Sequence, residues 1–142
     1  MISIKIKKLN PDAIIPCYAH KGDAGMDIFS CENCILKAGE RKGILTGISM
    51  ELPLGYVALV WDKSGLALNK GIKTMAGVCD AGYRGEYKIV LFNTSREENI
   101  NINKGDKIAQ ILIQKVEQCE IKEVSELENS SRGENGFGST GK

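Results

Sequence analysis

Apolar residues in this chain recur at every second position in short runs, and turn-forming residues close each run. Ile2, Ile4 and Ile6 alternate with Ser3, Lys5 and Lys7, which turns one face toward a core and the other toward water. Further β-rich runs span residues 44–52, 56–61, 87–93 and 108–116. Between the runs lie Lys21-Gly22-Asp23, Ala38-Gly39-Glu40, Pro53-Leu54-Gly55 and Lys104-Gly105-Asp106. Many short strands with a turn about every ten residues imply an all-β sandwich or barrel rather than βαβ units. Only residues 64–70 can form a helix, and a short one. Residues 121–127 read as a last strand or as a frayed connector.

A chain of 142 residues fits one domain with one modest core. Its formal net charge of +1 argues against a nucleic-acid or membrane surface held by bulk electrostatics. No apolar run is long enough to cross a bilayer, and the start, Met1-Ile2-Ser3-Ile4-Lys5, lacks the apolar centre of a signal peptide. A cytoplasmic location is expected. Cysteines at 17, 31, 34, 79 and 119 are odd in number and scattered, which does not read as a disulfide framework. Cys31 and Cys34 have metal-knuckle spacing, but no second pair follows. Zinc would need distant Cys17 or His20, the single histidine, so a small apolar pair near a turn is the favoured reading. With one histidine in the chain, a general base is more readily a carboxylate.

After Leu127 the composition changes. Residues 128–142 hold almost nothing to bury and cannot offset their ordering entropy with a core, so they are expected to form a mobile C-terminal arm on a β domain of residues 1–127. A disordered end is the plain alternative. Yet one aromatic, Phe137, lies between glycines, with Arg132 before it and Ser139 and Thr140 after it. Such a set can stack on a flat ring and wrap a phosphate. It lacks the strand-to-helix setting of a P-loop, so it would be a lid rather than a cradle.

Four internal segments carry similar chemistry. Asp23-Ala24-Gly25-Met26-Asp27 offers two carboxylates for a hard cation or its waters, although by itself a turn into a strand is the favoured reading. Asp62-Lys63-Ser64-Gly65 puts a cation, a hydroxyl and an open backbone N–H at a strand end, where an anion would be favoured. A plain serine N-cap is the alternative. In Gly77-Val78-Cys79-Asp80-Ala81-Gly82-Tyr83, Asp80 ends an apolar approach, as does a carboxylate that holds and deprotonates a water. A hairpin with a turn aspartate is the bland counterpart. In Gly105-Asp106-Lys107-Ile108-Ala109-Gln110, Gln110 sits among apolar neighbours, or simply faces solvent.

Taken in order, DAGMDIFS, DKSGLALNKGI, GVCDAGYRGE, GDKIAQILI and RGENGFGSTG resemble the five motifs of the trimeric dUTP pyrophosphatase (dUTPase) family. The resemblance runs from about Asp23 to the C-terminus. It implies a β-clip, or distorted jelly-roll, assembled as a homotrimer in which motifs one, two and four, motif three, and the tail of each site come from three different chains. It implies dUTP as substrate and Mg²⁺ as cofactor, held mainly by phosphates and water, with Asp27 assisting in the outer shell. By the same resemblance Asp80 activates the water that attacks the α-phosphorus. Lys63, Ser64, Gly65 and Gln110 contact the phosphates, and Tyr83 packs on the deoxyribose and excludes a 2′-hydroxyl. Backbone of residues 74–80, including Thr74, Gly77 and Val78, pairs with uracil and rejects the thymine methyl. Arg132 engages the terminal phosphates, Phe137 stacks over uracil, and Gly138, Ser139 and Thr140 line the phosphate chain.

The chain departs from the family pattern at several positions. Lys63 stands for the usual arginine, keeping the charge without the planar fork, and Asp62 replaces a common proline. Thr74 and Cys79 replace a frequent asparagine and isoleucine. A related dCTP deaminase would need a catalytic glutamate at the position of Val90; a non-catalytic nucleotide-binding trimer would have no use for Asp80, Tyr83, Gln110 and a complete tail.

Overall fold

The fold, obtained as a computed structural model, is described for residues 2–135. Eleven strands and one helix follow in the order β1 (Lys5–Lys8), β2 (Met26–Phe29), β3 (Cys34–Leu36), β4 (Arg41–Ile44), β5 (Ile48–Glu51), β6 (Tyr56–Trp61), α1 (Ser64–Lys70), β7 (Ile72–Met75), β8 (Val78–Asp80), β9 (Ile89–Asn93), β10 (Ile100–Ile102) and β11 (Lys107–Lys115). Every strand pair is antiparallel. The sheets have the orders β1-β5, β10-β3, β2-β11-β6-β8 and β4-β9-β7. This all-β architecture agrees with the jelly-roll-like expectation.

The sheets enclose one core in which Ile28, Leu36, Ile44, Ile48, Met50, Leu91, Ile108 and Ile111 are buried. Tyr56–Trp61 and Ser64–Lys70 form the strand and helix their patterns predict. The run 44–52 does not stay one strand. It breaks at Gly47, whose φ of 68° is left-handed and whose α-carbon lies so close to Asn10 and Ala13 that a Cβ would meet either at 2.9 Å. A side chain is excluded there on both counts, so the run divides between β4, paired with β9, and β5, paired with β1. The N-terminal alternation holds in part: Ile4 and Ile6 pack on the core, while Ile2 stays exposed.

A bulge in β11 has the most bearing on chemistry. Lys107 opposes Phe29, Ala109 opposes Ile28 and Gln110 opposes Asp27, so the register shifts between Lys107 and Ala109. The extra residue turns both Ile108 and Ala109 into the core and brings Lys107 within reach of Asp27, a re-aiming that bulges commonly perform.

Beyond Lys115 the segment 121–127 forms no strand. Ile121 is 95% exposed and Leu127 87%, so the connector reading holds: nothing among the described residues buries them. Among the described residues, no helix is long and apolar enough to cross a membrane.

Candidate active site

The end of β6 is the hub of the candidate site. β6 runs between β11 and β8, then leads through Asp62 and Lys63 into α1. The helix begins at Ser64, and the residue before it is Lys63, which has extended backbone and makes no capping side-chain bond. The serine N-cap reading is therefore wrong: Ser64 is already helical, and its exposed hydroxyl is not spent on the backbone. The N–H groups of a first turn have no helical partner. At Gly65 a Cβ would meet nothing within 4 Å. The chain's own packing does not require glycine there, and the backbone is open to close approach.

Lys63 reaches back to Asp27. Its ammonium contacts Asp27 Oδ1, and that of Lys107 contacts Oδ2 at 2.7 Å. Asp27 is 5% exposed. Burial pushes its carboxyl up, but the two lysines outweigh burial and hold it below the usual range. The paired carboxylates Asp23 and Asp27 do not form one site. Asp23 Oδ2 accepts the His20 N–H at 2.8 Å and closes a turn, while Asp27 is committed to lysines. Lys107 was not among the residues singled out from sequence, because the bulge that brings it to Asp27 is a register effect with no local signature.

Gln110 is not turned to solvent. Its Nε2 donates to the carbonyl of Asp62 at 2.8 Å, and its side chain fills the space over Gly25, where a Cβ would lie 2.4 Å from Oε1. Segments one, two and four thus meet at one place: Gly25 and Asp27, Lys63 to Gly65, and Gln110.

Residues 74–80 form a corner rather than a hairpin. β7 pairs with β9 and β8 pairs with β6, so the chain crosses between sheets at Ala76 and Gly77, whose φ values are 62° and 120°. Two anchors hold the crossing. The Val60 N–H donates to the Gly77 carbonyl at 2.8 Å, and Asp62 Oδ1 accepts from the Thr74 N–H at 2.6 Å and from Thr74 Oγ1 at 2.7 Å. Asp62 Oδ2 also takes Lys73 Nζ at 2.5 Å. Burial works against ionisation of Asp62, but Lys73 and Thr74 prevail and its carboxyl is lowered.

Beside the corner lies a cleft of about 230 Å³, lined by residues that include Val60, Met75, Gly77, Val78, Asp80 and Tyr83. Asp80 is exposed at the end of β8, and its carbonyl accepts the Tyr83 N–H at 3.0 Å. The Tyr83 ring folds over Gly85, its hydroxyl donates to the Glu86 carbonyl at 2.9 Å, and the ring of Tyr87 lies 5.7 Å from it, tilted by 54°. Tyr87, also on this cleft, is 2% exposed. Its hydroxyl is the one buried side-chain polar atom without a partner among the described residues, and burial pushes its pKa up to about 12. Val90, where a deaminase would carry glutamate, lines the cleft with an apolar side chain.

Arg132 lies in a local turn, its Nε donating to the Asn135 carbonyl at 2.9 Å. Phe137, Gly138, Ser139 and Thr140 lie outside the described residues. Among the described residues, no three His, Cys, Asp or Glu side chains converge as a metal cage. A hard cation that keeps its waters needs none, and Asp27 is in direct contact with Lys63 at the start of α1.

The sequence profile of the dUTPase family matches residues 11–141. The deoxyuridine 5'-triphosphate nucleotidohydrolase of Clostridium kluyveri is 49% identical over 142 residues, covering 99% of each chain. That of Thermobifida fusca is 46% identical over 99% of this chain and 79% of its own. Among solved structures, the Staphylococcus bacteriophage 80alpha dUTPase with dUpNHpp superposes with a TM-score of 0.92 at 33% identity, over 98% of both chains. Members of the family are hydrolases and generally depend on a divalent metal. From its five ordered segments, its fold and these relatives, the chain belongs to the dUTPase family.

Proposed function

We propose that the chain hydrolyses dUTP to dUMP and pyrophosphate, by attack of an Asp80-activated water on the α-phosphorus, in a homotrimer whose sites draw on three subunits. The observation that carries this reading is the corner of residues 74–80, which opens on an apolar cleft and has an exposed carboxylate at its rim. Backbone groups of the crossing other than the Gly77 carbonyl and the Thr74 N–H, which Val60 and Asp62 occupy, can pair with the edge of a uracil ring, and Tyr83 can cover the deoxyribose. Asp80 then holds and deprotonates the water at the far end of the nucleoside. A carboxylate within hydrogen-bond reach suffices as the base.

Lys63, the free N–H and hydroxyl of Ser64, Gly65 and Gln110 would take the phosphates. Their contribution is positioning and charge neutralisation, which supply most of the acceleration in phosphoryl chemistry. A magnesium ion carried by the triphosphate would add neutralising charge, with Asp27 approached through water once Lys63 turns from it to phosphate. Arg132, Phe137, Gly138, Ser139 and Thr140 would close over the substrate, and the arm of residues 128–142 would become ordered as it does so.

The trimer is supported by apolar surface that one chain leaves in water, notably Trp61, Val78, Ile121, Val124 and Leu127. The test is pyrophosphate release from dUTP with Mg²⁺, wild type against Asp80→Asn, with light scattering on the same samples. The expected result is a trimer whose turnover falls about 10²–10⁴-fold in the variant. Equal rates would sink the mechanism, and ammonia release from dCTP would point to the deaminase instead.

A further inference from the structure

Asp62 belongs to no catalytic role described above, yet among the described residues its carboxylate makes more polar contacts than any other. One oxygen accepts both the backbone N–H and the hydroxyl of Thr74, and the other takes Lys73. Its backbone carbonyl receives Gln110. Thr74 is 6% exposed, so its two bonds to Asp62 are partly shielded from water and favour one geometry, whereas the Lys73 contact is exposed. Two residues further on, the chain enters the left-handed crossing at Ala76 and Gly77. A non-glycine residue at positive φ, as at Ala76, persists only where its surroundings hold it there.

Both holds come from the end of β6. On the far side of the crossing, the Gly77 carbonyl accepts Val60 N–H, and the glycine lies so close that a Cβ would meet Val60 O at 2.8 Å. On the near side, the hold is Asp62 on Thr74. Val60 is a backbone contact that any residue can make. Asp62 is a side-chain contact, and its removal would free the near side of the corner while leaving the far side pinned.

We infer that Asp62 is a specificity-determining positioning residue: by clamping Thr74 it sets the width of the corner that meets the base, and so keeps a 5-methyl pyrimidine out. The inference rests on the reading that residues 74–80 receive uracil. A rigid corner rejects the extra methyl by forcing a clash, whereas a loosened one yields by a few tenths of an ångström. Discrimination of a single methyl group is worth about 10–200-fold in an apolar pocket, which bounds what the clamp can contribute.

The experiment measures kcat/KM for dUTP and for its 5-methyl analogue dTTP in wild type, Asp62→Ala and Asp62→Asn, with melting temperatures. In Asp62→Ala the dUTP-to-dTTP ratio should fall about tenfold, mainly because dTTP gains. In Asp62→Asn, which keeps one oxygen for Thr74, it should fall about threefold. This gives a graded series that stands even where the alanine variant folds poorly. If kcat/KM for both substrates falls in step with melting temperature, Asp62 is merely structural and the inference fails. An unchanged ratio in Asp62→Asn and Asp62→Ala overturns it equally. A wild-type chain that does not prefer dUTP over dTTP overturns the base-recognition reading itself, an outcome distinct from wild-type preference that survives loss of Asp62.

Discussion

Asp27 and Asp80 are both aspartates near strand ends in segments with the same mix of small and polar residues, but the fold treats them oppositely. Asp27 is buried and gripped by Lys63 and Lys107. Asp80 is exposed beside an apolar cleft, and among the described residues no side-chain partner is recorded for it. A carboxylate with two ammonium groups on it is a poor base, because its ionised form is already stabilised where it stands. A carboxylate open to water can hold one. The difference fits the roles the sequence reading expects, charge organisation for Asp27 and, in the proposed mechanism, proton transfer for Asp80.

If that contrast is right, the largest effect short of losing Asp80 itself comes from the cover over it. A chain ending at Ser131 should fold and melt as the full chain does, while its kcat for dUTP falls about 10²–10³-fold, the range that water exclusion and completed charge neutralisation can supply. Full activity in the truncated chain would remove the lid from the account. Next in size is Asp27→Asn. Removing the carboxylate leaves two lysines facing each other, and the expected loss is about 1–3 kcal/mol of stability, discounted because both lysines are partly exposed. Urea titration measures it. If turnover fell a thousandfold with stability intact, Asp27 and Asp80 would have been assigned the wrong way round.

The pH dependence of the Asp27 contribution has a definite sign. Its pKa is lower in the folded chain than in the unfolded one. The stabilisation is therefore fully present above about pH 4, the unfolded carboxylate range, and is lost as pH falls through the lower folded value. Acid titration of wild type should show this loss, and Asp27→Asn should lack it. A smaller effect is expected at Lys63→Arg. Arginine can grip Asp27 and a phosphate with its fork, so KM for dUTP should drop about threefold; a rise would mean that the site is shaped to lysine. Smallest is Tyr87→Phe. It deletes a buried hydroxyl with no partner among the described residues, so the melting temperature should hold or rise, with a gain of about 1 kcal/mol at most.

The sequence disclosed the strands whose period was long enough to see. Residues 56–61 and 64–70 are recovered at their full extent, and 108–116 is off by one at each end. Strands of three or four residues such as β3, β8 and β10 carry too few alternations to register. What could not be read locally is where distant segments pair. The break at Gly47 depends on crowding from Asn10 and Ala13. The corner at 74–80 depends on β7 and β8 joining different sheets. The motifs pointed to Asp27, Lys63, Gly65, Asp80 and Gln110 because their residue types suit phosphate chemistry. Lys107 escaped notice, and Asp62 stood out only as a replacement for proline, because their partners lie far along the chain, brought near by a bulge in one case and a sheet crossing in the other.

The central claim is that water attacks the α-phosphorus of dUTP. Hydrolysis in ¹⁸O-enriched water with Mg²⁺, followed by mass spectrometry of the products, tests it directly. The account predicts one labelled oxygen in dUMP and none in pyrophosphate. Label in pyrophosphate would place the attack on the β-phosphorus and contradict the role given to Asp80.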